Sequence, residues 1–553
     1  MNLGVDFGST YTTLSRYDET AGEIRDILLY EGSPFVPSVV ARKEESYVFG
    51  AEAKNKTGRK GYTSYKGFKM LLAETRREQL IRRGFGDQTP PDIAGRFLDF
   101  CIREALQRSG EDYIDHLVVG VPEVWNDSLS TLDGRNILKR ICTKKDLVGS
   151  VQVVSEPACA SAFFSYNFQK TTGHAYQGHI LLIDYGGGTL DITLTKVTST
   201  DQGKIEIQVE ERTGAGENEE GEIGKAGIVY MESVMETAIL ESGIFSETVE
   251  RDEKFYKSVN IFEEDLKTSW RTIQDIFNEY EVDNIAELER EEFSSVEYKG
   301  EEIPISYGLM VRVYNKLIAP VLSEKLGVMI EYMDAHGINY QDKKEEGFKI
   351  ALVGGFGNYY LVDHQVRSLF GFGSQDLRQS GIIRNATDRE KAVSMGASLL
   401  ASGIISIRNT APYSIGIPGM VGDKPSLNYA IRYKQEIVYD KVYFPCGKED
   451  GKPVPYFIGS TLKHFVINRG GDDRTAIIVP LKEQFVKELK DLVAYADDQY
   501  LTAILGFSMD SSGILSLHVR AYNLITGEAD PKDNVIVLDS FNNIFGVSQV
   551  RYA

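Results

Sequence analysis

The chain has 553 residues and a mass of 61.8 kDa, with 42% apolar and 26% charged side chains, a soluble globular composition with material for several packed units. Lys and Arg total 61 against 81 Asp and Glu, a formal charge of -20, which argues against a broad duplex-binding surface and against nucleic acid as a partner. A small phosphate site built from backbone N–H groups stays compatible with that charge.

The cysteines Cys101, Cys142, Cys159 and Cys446 are scattered without CxxC spacing, so neither a disulfide framework nor a structural zinc site is expected. No signal peptide precedes the strand-like run Leu3–Phe7, and no apolar run is long enough to span a bilayer. A reduced, cytoplasmic protein without a membrane partner is the expectation.

In chain order, Leu3–Phe7, His116–Val121, His179–Asp184 and Lys349–Val353 are short apolar runs that end at Gly or Pro, as buried strands do. Tyr307 to His336 has near-helical apolar spacing, with Pro320 expected to kink or divide it. Glu390 to Ser402 reads as a further helix. Alternating strands and helices predict an α/β fold, a sheet covered by helices. Ile404–Asn409 is a short connector. From Ala411 onward, turn residues separate short alternating runs, and Tyr500–Met509 with Ile514–Tyr522 reads as a hairpin around Asp510–Gly513. One helix, Leu481 to Tyr495, interrupts this β-rich part. The acidic stretches Gly214–Gly224 and Glu287–Glu292 read as solvated.

An internal echo stands out. Asp6-Phe7-Gly8-Ser9-Thr10 and Asp184-Tyr185-Gly186-Gly187-Gly188-Thr189 each follow one apolar run and precede another, Tyr11–Tyr17 and Leu190–Val197. Strand, Asp, Gly-rich turn, strand, occurring twice, suggests a duplicated unit with both turns facing one cleft. Glycine turns let backbone amides converge on an anion, and Ser9, Thr10 and Thr189 add hydroxyl donors. Asp6 and Asp184 suit Mg²⁺ held through its waters. A plain hairpin turn is the alternative for each copy, and it is harder to sustain for three consecutive glycines, whose ordering costs chain entropy. Neither turn matches Gx4GK[ST] or a GxGxxG entering a helix. Gly354-Gly355-Phe356-Gly357 lies between a strand and a helix and reads equally as a ligand-facing helix start or a simple turn.

Taken together these segments resemble the actin, sugar-kinase and heat-shock ATPase superfamily, most closely the DnaK-type heat-shock chaperone family. Asp6 to Tyr11 resembles its first phosphate motif, and Val121 to Asp127 its VPAYFND segment. Ser155 to Ala160 resembles its connecting EPxAA motif, and Asp184 to Asp191 matches its DxGGGTxD motif in full. Ala351 to Gly355 resembles its adenosine motif, and Ala392 to Ala397 its AVAYGAA helix. Thr410 to Ile417 looks like the opening of its peptide-binding β domain, and Phe507 to Leu515 like that domain's late hairpin.

The resemblance implies an actin-like two-lobed ATPase domain of duplicated RNase H-like units over 1–403, a linker over 404–410, and a smaller β-sandwich-like domain over 411–553. It implies ATP/ADP and Mg²⁺ as cofactors and ATP hydrolysis as the reaction. Asp6 and Asp184 would position Mg²⁺ and the attacking water, with Glu156 either supporting the site from behind its direct ligands or orienting that water. Gly8, Ser9, Thr10, Tyr11, Gly186, Gly187, Gly188 and Thr189 would hold the phosphates. The family also uses a lysine near the γ-phosphate, for which Lys69 is the candidate and Lys66 its competitor. Glu264, Lys267 and Arg271, spaced to share a helical face, resemble the adenosine-binding helix; an exposed ion-pair face is the alternative. Gly354, Gly355 and Asn358 would complete the adenosine site.

The departures from the family are specific. Phe356-Gly357-Asn358 stands where the family has Ser-Thr-Arg, so the arginine that stacks on adenine is missing and Phe356 is the ring left to replace it. The family's GGED segment is echoed faintly at Gly224–Gly227. The connector lacks the family's acidic residue and unbroken leucines, and the length after 411 leaves no room for the helical lid. Expected partners are extended or unfolded peptide segments or a specific protein client, with a co-chaperone or nucleotide exchange factor. A nucleotide-holding scaffold without useful turnover and a small-molecule kinase are the rival functions.

Overall fold

A computed structural model describes residues 1–30, 32–122, 125, 129–143, 146–200, 204–216, 224–245, 248–341, 347–371, 386–408, 410–411, 413–421, 424–447, 451–468, 476–493 and 502–538. Most of the segment Val121–Asp127, the acidic residues 217–223 and the C-terminus after 538 therefore lie outside the described residues. The chain divides into two compact units. The first comprises Met1–Ala162, Glu206–Gln208 and Val393–Ala553, the second Phe163–Ile205 and Val209–Ala392.

In the first unit, β1 (Asn2–Phe7) and β2 (Tyr11–Asp18) form an antiparallel hairpin, with Asp6 opposite Thr13 and Phe7 opposite Thr12. β1 runs parallel to β3 (Ile114–Val121), which runs parallel to β4 (Val148–Ser155). The interior strands β1 and β3 carry mostly buried residues, as strands covered on both faces do. Beneath them, Phe7, Phe68 and Phe97 pack at ring-centroid distances of 5.6–6.2 Å. Helix α1 (Glu156–Thr172) starts directly from the end of β4.

In the second unit, β5 (Gly178–Tyr185) and β6 (Leu190–Ser199) repeat the hairpin, with Asp184 opposite Asp191 and Tyr185 opposite Leu190. β7 (Ile205–Ala215) extends the sheet beyond β6, and β8 (Phe348–Val353) runs parallel to β5, placing Asp184 beside Val353. Helices α2 (Gly227–Glu241), α3 (Glu253–Thr268), α4 (Trp270–Glu279) and α5 (Tyr360–Phe370) supply much of the covering core, including Tyr230, Val234, Phe262 and Val366. The helical pattern from Tyr307 is divided as proline requires: one helix ends at Leu317 and the next begins at Ala319 with Pro320 in its first turn.

Helix α6 (Ala386–Ala401) leads into the remaining part of the first unit. The connector is not an irregular link: Ile405–Ile407 forms β9, and the Arg408 N–H donates to the Ile207 carbonyl at 2.8 Å. From Ala411 on, one sheet takes the order 424–431, 414–421, 464–468, 477–480. A second contains β10 (Thr502–Met509) and β11 (Leu515–Asn523), with β12 (Asn534–Val537) on the β11 edge. Residues of both sheets, among them Ile415, Phe465, Phe507 and Leu517, share one core with Leu489 of the helix Glu483–Val493.

The hairpin loop between β10 and β11 is anchored on the N-terminal residues of the same unit. The Gln152 amide donates to the Ser511 carbonyl and the Val153 N–H to Ser512 Oγ, each at 2.9 Å. Lys139 forms an ion pair with Asp510, and the Asn136 amide donates to the Leu538 carbonyl at 3.0 Å. Among the described residues, no helix is long and apolar enough to cross a membrane.

Candidate functional site

The two glycine turns are built to one plan. In each, a carboxylate sits two residues before the first turn glycine, at the end of a strand flanked by one antiparallel and one parallel neighbour. In the first copy the loop is Ser9-Thr10, with Asp6, Gly8, Ser9 and Tyr11 partly exposed and Thr10 exposed. A Cβ on Gly8 would lie 2.1 Å from the Tyr11 carbonyl oxygen, so the hairpin closes this tightly only because Gly8 has none. Ser38 braces the loop: its hydroxyl donates to the Gly8 carbonyl at 2.7 Å and its N–H to the Thr10 carbonyl at 2.8 Å. Nothing in the sequence pattern ties Ser38 to a glycine so far upstream, and it is absent from the residues proposed above.

Lys69 and Glu156 meet in the first unit. Lys69 is 3% exposed, Glu156 is 8% exposed, and the ammonium donates to Glu156 Oε1 at 2.5 Å. Lys66, its competitor, is exposed. Asp6 belongs to the same electrostatic neighbourhood. The thiol of Cys159, one turn into α1, is pushed well up by burial, and the negative charges of Glu156 and Asp6 add to that shift. Gly120 makes room for Glu156, since a Cβ there would lie 3.2 Å from Glu156 Cγ and 2.7 Å from Val393. Two further glycines set α6 against this site. A Cβ on Gly4 would sit 2.2 Å from the Ser398 nitrogen, and one on Gly396 only 1.6 Å from the Cys159 carbonyl oxygen. The side chain of Ser394 accepts from Thr13 Oγ1 at 2.9 Å and lies 3.0 Å from Ser15 Oγ.

In the second unit, Gly186, Gly187, Gly188 and Thr189 form the loop, all partly exposed, and the Gly186 N–H donates to the Thr189 carbonyl at 2.9 Å. The Gly224–Gly227 segment holds this loop from behind. The N–H groups of Gly227 and Ile228, at the start of α2, donate to the carbonyls of Gly186 and Gly187 at 3.2 and 2.9 Å. Tyr185 reaches the Lys225 carbonyl at 2.7 Å through its hydroxyl. The positive end of α2 thus engages the carbonyl side of the turn. Gly354 sits against Asp184: at φ +78°, a Cβ would lie 2.5 Å from both Asp184 Oδ1 and the Tyr185 carbonyl oxygen. Gly355 is exposed, and the Asn358 amide donates to the Gly354 carbonyl at 3.4 Å.

Two expectations are corrected here. Glu264 and Lys267 lie on α3 but Arg271 lies on α4, because the helix breaks at Ser269 (φ -98°, ψ 16°), so the three do not share one continuous helical face. All three are exposed, and the Lys267 ammonium pairs with Glu263 at 2.7 Å. The break follows from local sequence: Thr268-Ser269 offers side-chain hydroxyls that compete for backbone groups, and Thr268 Oγ1 donates back to the Glu264 carbonyl at 2.9 Å.

Phe356 is not presented to a ligand. It is 9% exposed and packs among Tyr185, Tyr230 and Tyr359 at centroid distances of 5.1–5.6 Å. Beneath it the Tyr230 and Tyr359 hydroxyls share a 2.7 Å hydrogen bond. The ring is a wedge in the core under the glycine turn. Phe356→Ala is therefore expected to destabilise the protein by about 3–5 kcal/mol, read as a lowered denaturant midpoint. Phe356→Leu should recover most of that loss, whereas a ring reserved for stacking on a base would show no such size dependence in stability.

No protein-family model matches the chain. It is 27% identical over 196 residues to the Chaperone protein DnaK of two strains of Halobacterium salinarum, an alignment covering 35% of this chain and 28% of those proteins. It is 25% identical over 227 residues to the Heat shock 70-related protein 1, mitochondrial, of Leishmania major, covering 35% of this chain and 32% of that protein. The chain thus spans about a third of the length of the curated relatives it matches. Over that stretch it is similar, at low identity, to DnaK-type heat-shock proteins.

Proposed function

We propose that the chain is an ATP-binding, ATP-hydrolysing, chaperone-like protein. In this reading residues 1–403 form an actin-like nucleotide-binding domain of duplicated lobes, 404–410 the linker, and 411–553 a β domain that binds a peptide or protein client. The observation that carries the proposal is the buried Lys69–Glu156 pair beside the Asp6 hairpin, together with a second hairpin of the same plan at Asp184. The similarity to DnaK-type proteins supports it.

The residues present fit Mg·ATP. Glycine turns leave backbone amides accessible, and a buried ammonium held by one carboxylate suits a γ-phosphate. Among the described residues no group of three or more His, Cys, Asp or Glu could hold a metal ion. Mg²⁺ keeps waters and phosphate oxygens and needs only one or two carboxylates from the protein. Asp6 and Asp184 would hold it, and the ion would supply charge neutralisation of the polyphosphate. Glu156 keeps Lys69 oriented, and the Ser9, Thr10 and Thr189 hydroxyls add donors to the turns.

Calorimetry with Mg·ATP, Mg·ADP and Mg·GTP tests the binding. Micromolar or tighter affinity for the adenine nucleotides is expected, and equal affinity for GTP would undo the adenine assignment. Asp184→Asn is expected to lower phosphate release by at least about 100-fold, with phosphate appearing in solution rather than on an added sugar or alcohol.

One observation favours the scaffold reading. Residues 411–553 fall in the same compact unit as 1–162, with the 510–513 loop anchored on Gln152, Val153 and Lys139. A fixed β domain would bind its client with the same affinity in ATP and ADP, whereas a nucleotide-driven one would not.

A further inference from the structure

The β-rich part holds a cluster that the nucleotide reading does not use. Ser508 lies on β10, His518 on β11, and Asp533 immediately before β12. The register sets Ser508 opposite Ser516 and His518 opposite Gly506, which makes Ser508 and His518 diagonal neighbours on one face of the sheet. Gly506 lets Val442 and Phe444 pack close over this face: a Cβ there would lie 2.5 Å from Val442 Cγ1 and 2.7 Å from Phe444 Cε1.

Ser508 Oγ lies 2.8 Å from His518 Nε2, and His518 Nδ1 lies 2.9 Å from Asp533 Oδ2. Ser508 is 5% and His518 8% exposed. Burial alone would raise the Asp533 carboxyl, but hydrogen bonds from Arg520 and His518 outweigh it and hold the group below the usual carboxylate range. Asp533 is therefore an ionised, acceptor-only partner. It fixes the imidazole proton on Nδ1 and turns the Nε2 lone pair toward the Ser508 hydroxyl. The mutual bond satisfies Ser508 Oγ and His518 Nε2, and Asp533 satisfies the remaining ring nitrogen, Nδ1. A third group, from a different segment, sets the tautomer that makes His518 a base toward Ser508.

We propose that Ser508 is an activated nucleophile and a modification site, relayed through His518 to Asp533, which takes an acyl or phosphonyl group from a small pre-activated donor such as an activated ester or a phosphonyl fluoride. Ser508 Oγ forms a bond to the donor carbon or phosphorus, the serine proton passes to His518 Nε2, and the bond to the leaving group breaks. The proton then departs with the leaving group or to water. The Arg520 guanidinium also donates to Asp533 Oδ2, at 3.2 Å, and shares its charge. The imidazolium formed during attack is thereby stabilised less than beside an unshared carboxylate. This suits one stoichiometric modification per chain over rapid turnover. None of these residues belongs to the nucleotide site proposed above.

The test is incubation of the full chain with a biotinylated alkyl fluorophosphonate, followed by intact mass and peptide mapping. There the Oγ–P bond forms and the P–F bond breaks. One adduct per chain on Ser508 is expected, absent in Ser508→Ala. Labelling should be at least about 100-fold slower in His518→Gln and at least about tenfold slower in Asp533→Asn, each compared at an unchanged thermal transition. If His518→Gln fails to fold, the partly exposed Asp533→Asn carries the comparison. A wild-type chain without an adduct, an adduct confined to other serines, or wild-type labelling rates in the folded His518→Gln or Asp533→Asn chain would overturn the proposal.

Discussion

Lys69→Ala is expected to lower stability by about 3–5 kcal/mol, because it leaves the Glu156 carboxylate buried without its counter-charge. The same substitution should lower phosphate release by at least about 100-fold, so stability and turnover fall together. The two effects can be separated. Replacing both partners, as Lys69→Met with Glu156→Leu, removes the uncompensated charge and should bring the denaturant midpoint back toward wild type, since apolar replacements of a buried pair are often neutral in stability. Phosphate release should stay abolished in the double variant. A double variant that remained as unstable as Lys69→Ala would show that the pair is held by its surroundings and not by mutual compensation. A Lys69→Ala variant that kept full turnover would remove Lys69 from the proposed machinery. Unfolding in urea and a coupled phosphate assay on the same three proteins decide between these outcomes.

Gly354→Ala should act on the other carboxylate. At φ +78° a side chain costs about 1–2 kcal/mol in backbone strain alone. The added methyl would also meet Asp184 Oδ1 and the Tyr185 carbonyl oxygen, each at 2.5 Å, closer than real contacts allow. Either Asp184 turns away or β8 shifts from β5. The expected result is destabilisation of about 2–5 kcal/mol, the sum of strain and overpacking, with loss of measurable Mg·ATP binding in calorimetry. Gly355→Ala is the matched control. Gly355 is exposed, its φ lies outside the left-handed region, and a Cβ there meets nothing within 4 Å, so near-wild-type stability is expected. Equal damage at both positions would mean that the loop as a whole, and not the contact with Asp184, limits binding.

Much of this was legible because it lives in short-range pattern. Strand runs that end at glycine, paired with runs of matching alternation after it, predict the β1–β2 and β5–β6 hairpins closely, because hairpin register is set by adjacent residues. Pro320 marked a helix boundary through its missing N–H. What escaped prediction depends on tertiary context. Phe356 reads as a ring left to stack on a base until Tyr185, Tyr230 and Tyr359 are seen around it. The α3–α4 break is concealed because Glu264, Lys267 and Arg271 keep helical spacing across it, while Thr268 and Ser269 are tolerated in many helices. Ser38 and Ser394 act on strands distant from them in the chain, and a serine by itself carries no signal of that kind. Lys69 is buried while Lys66, at the end of a strand, is exposed, a difference in burial that two nearby lysines do not advertise.

The Asp6 strand and the start of α1 both lean on residues 394–398, which lie nearly four hundred positions downstream of the first of them. A ribosome-bound nascent chain therefore emits the Asp6 strand and the start of α1 long before the helix they pack on has been synthesised. Until then the strand carrying Gly4 lacks its helical cover, and the turn carrying Cys159 has no neighbour at its carbonyl. Such long-range closure slows folding and exposes apolar surface on the way. Nucleotide should accordingly be unable to stabilise any N-terminal fragment that stops short of residue 398, and the protein should acquire its ligand only once the greater part of its length has been translated.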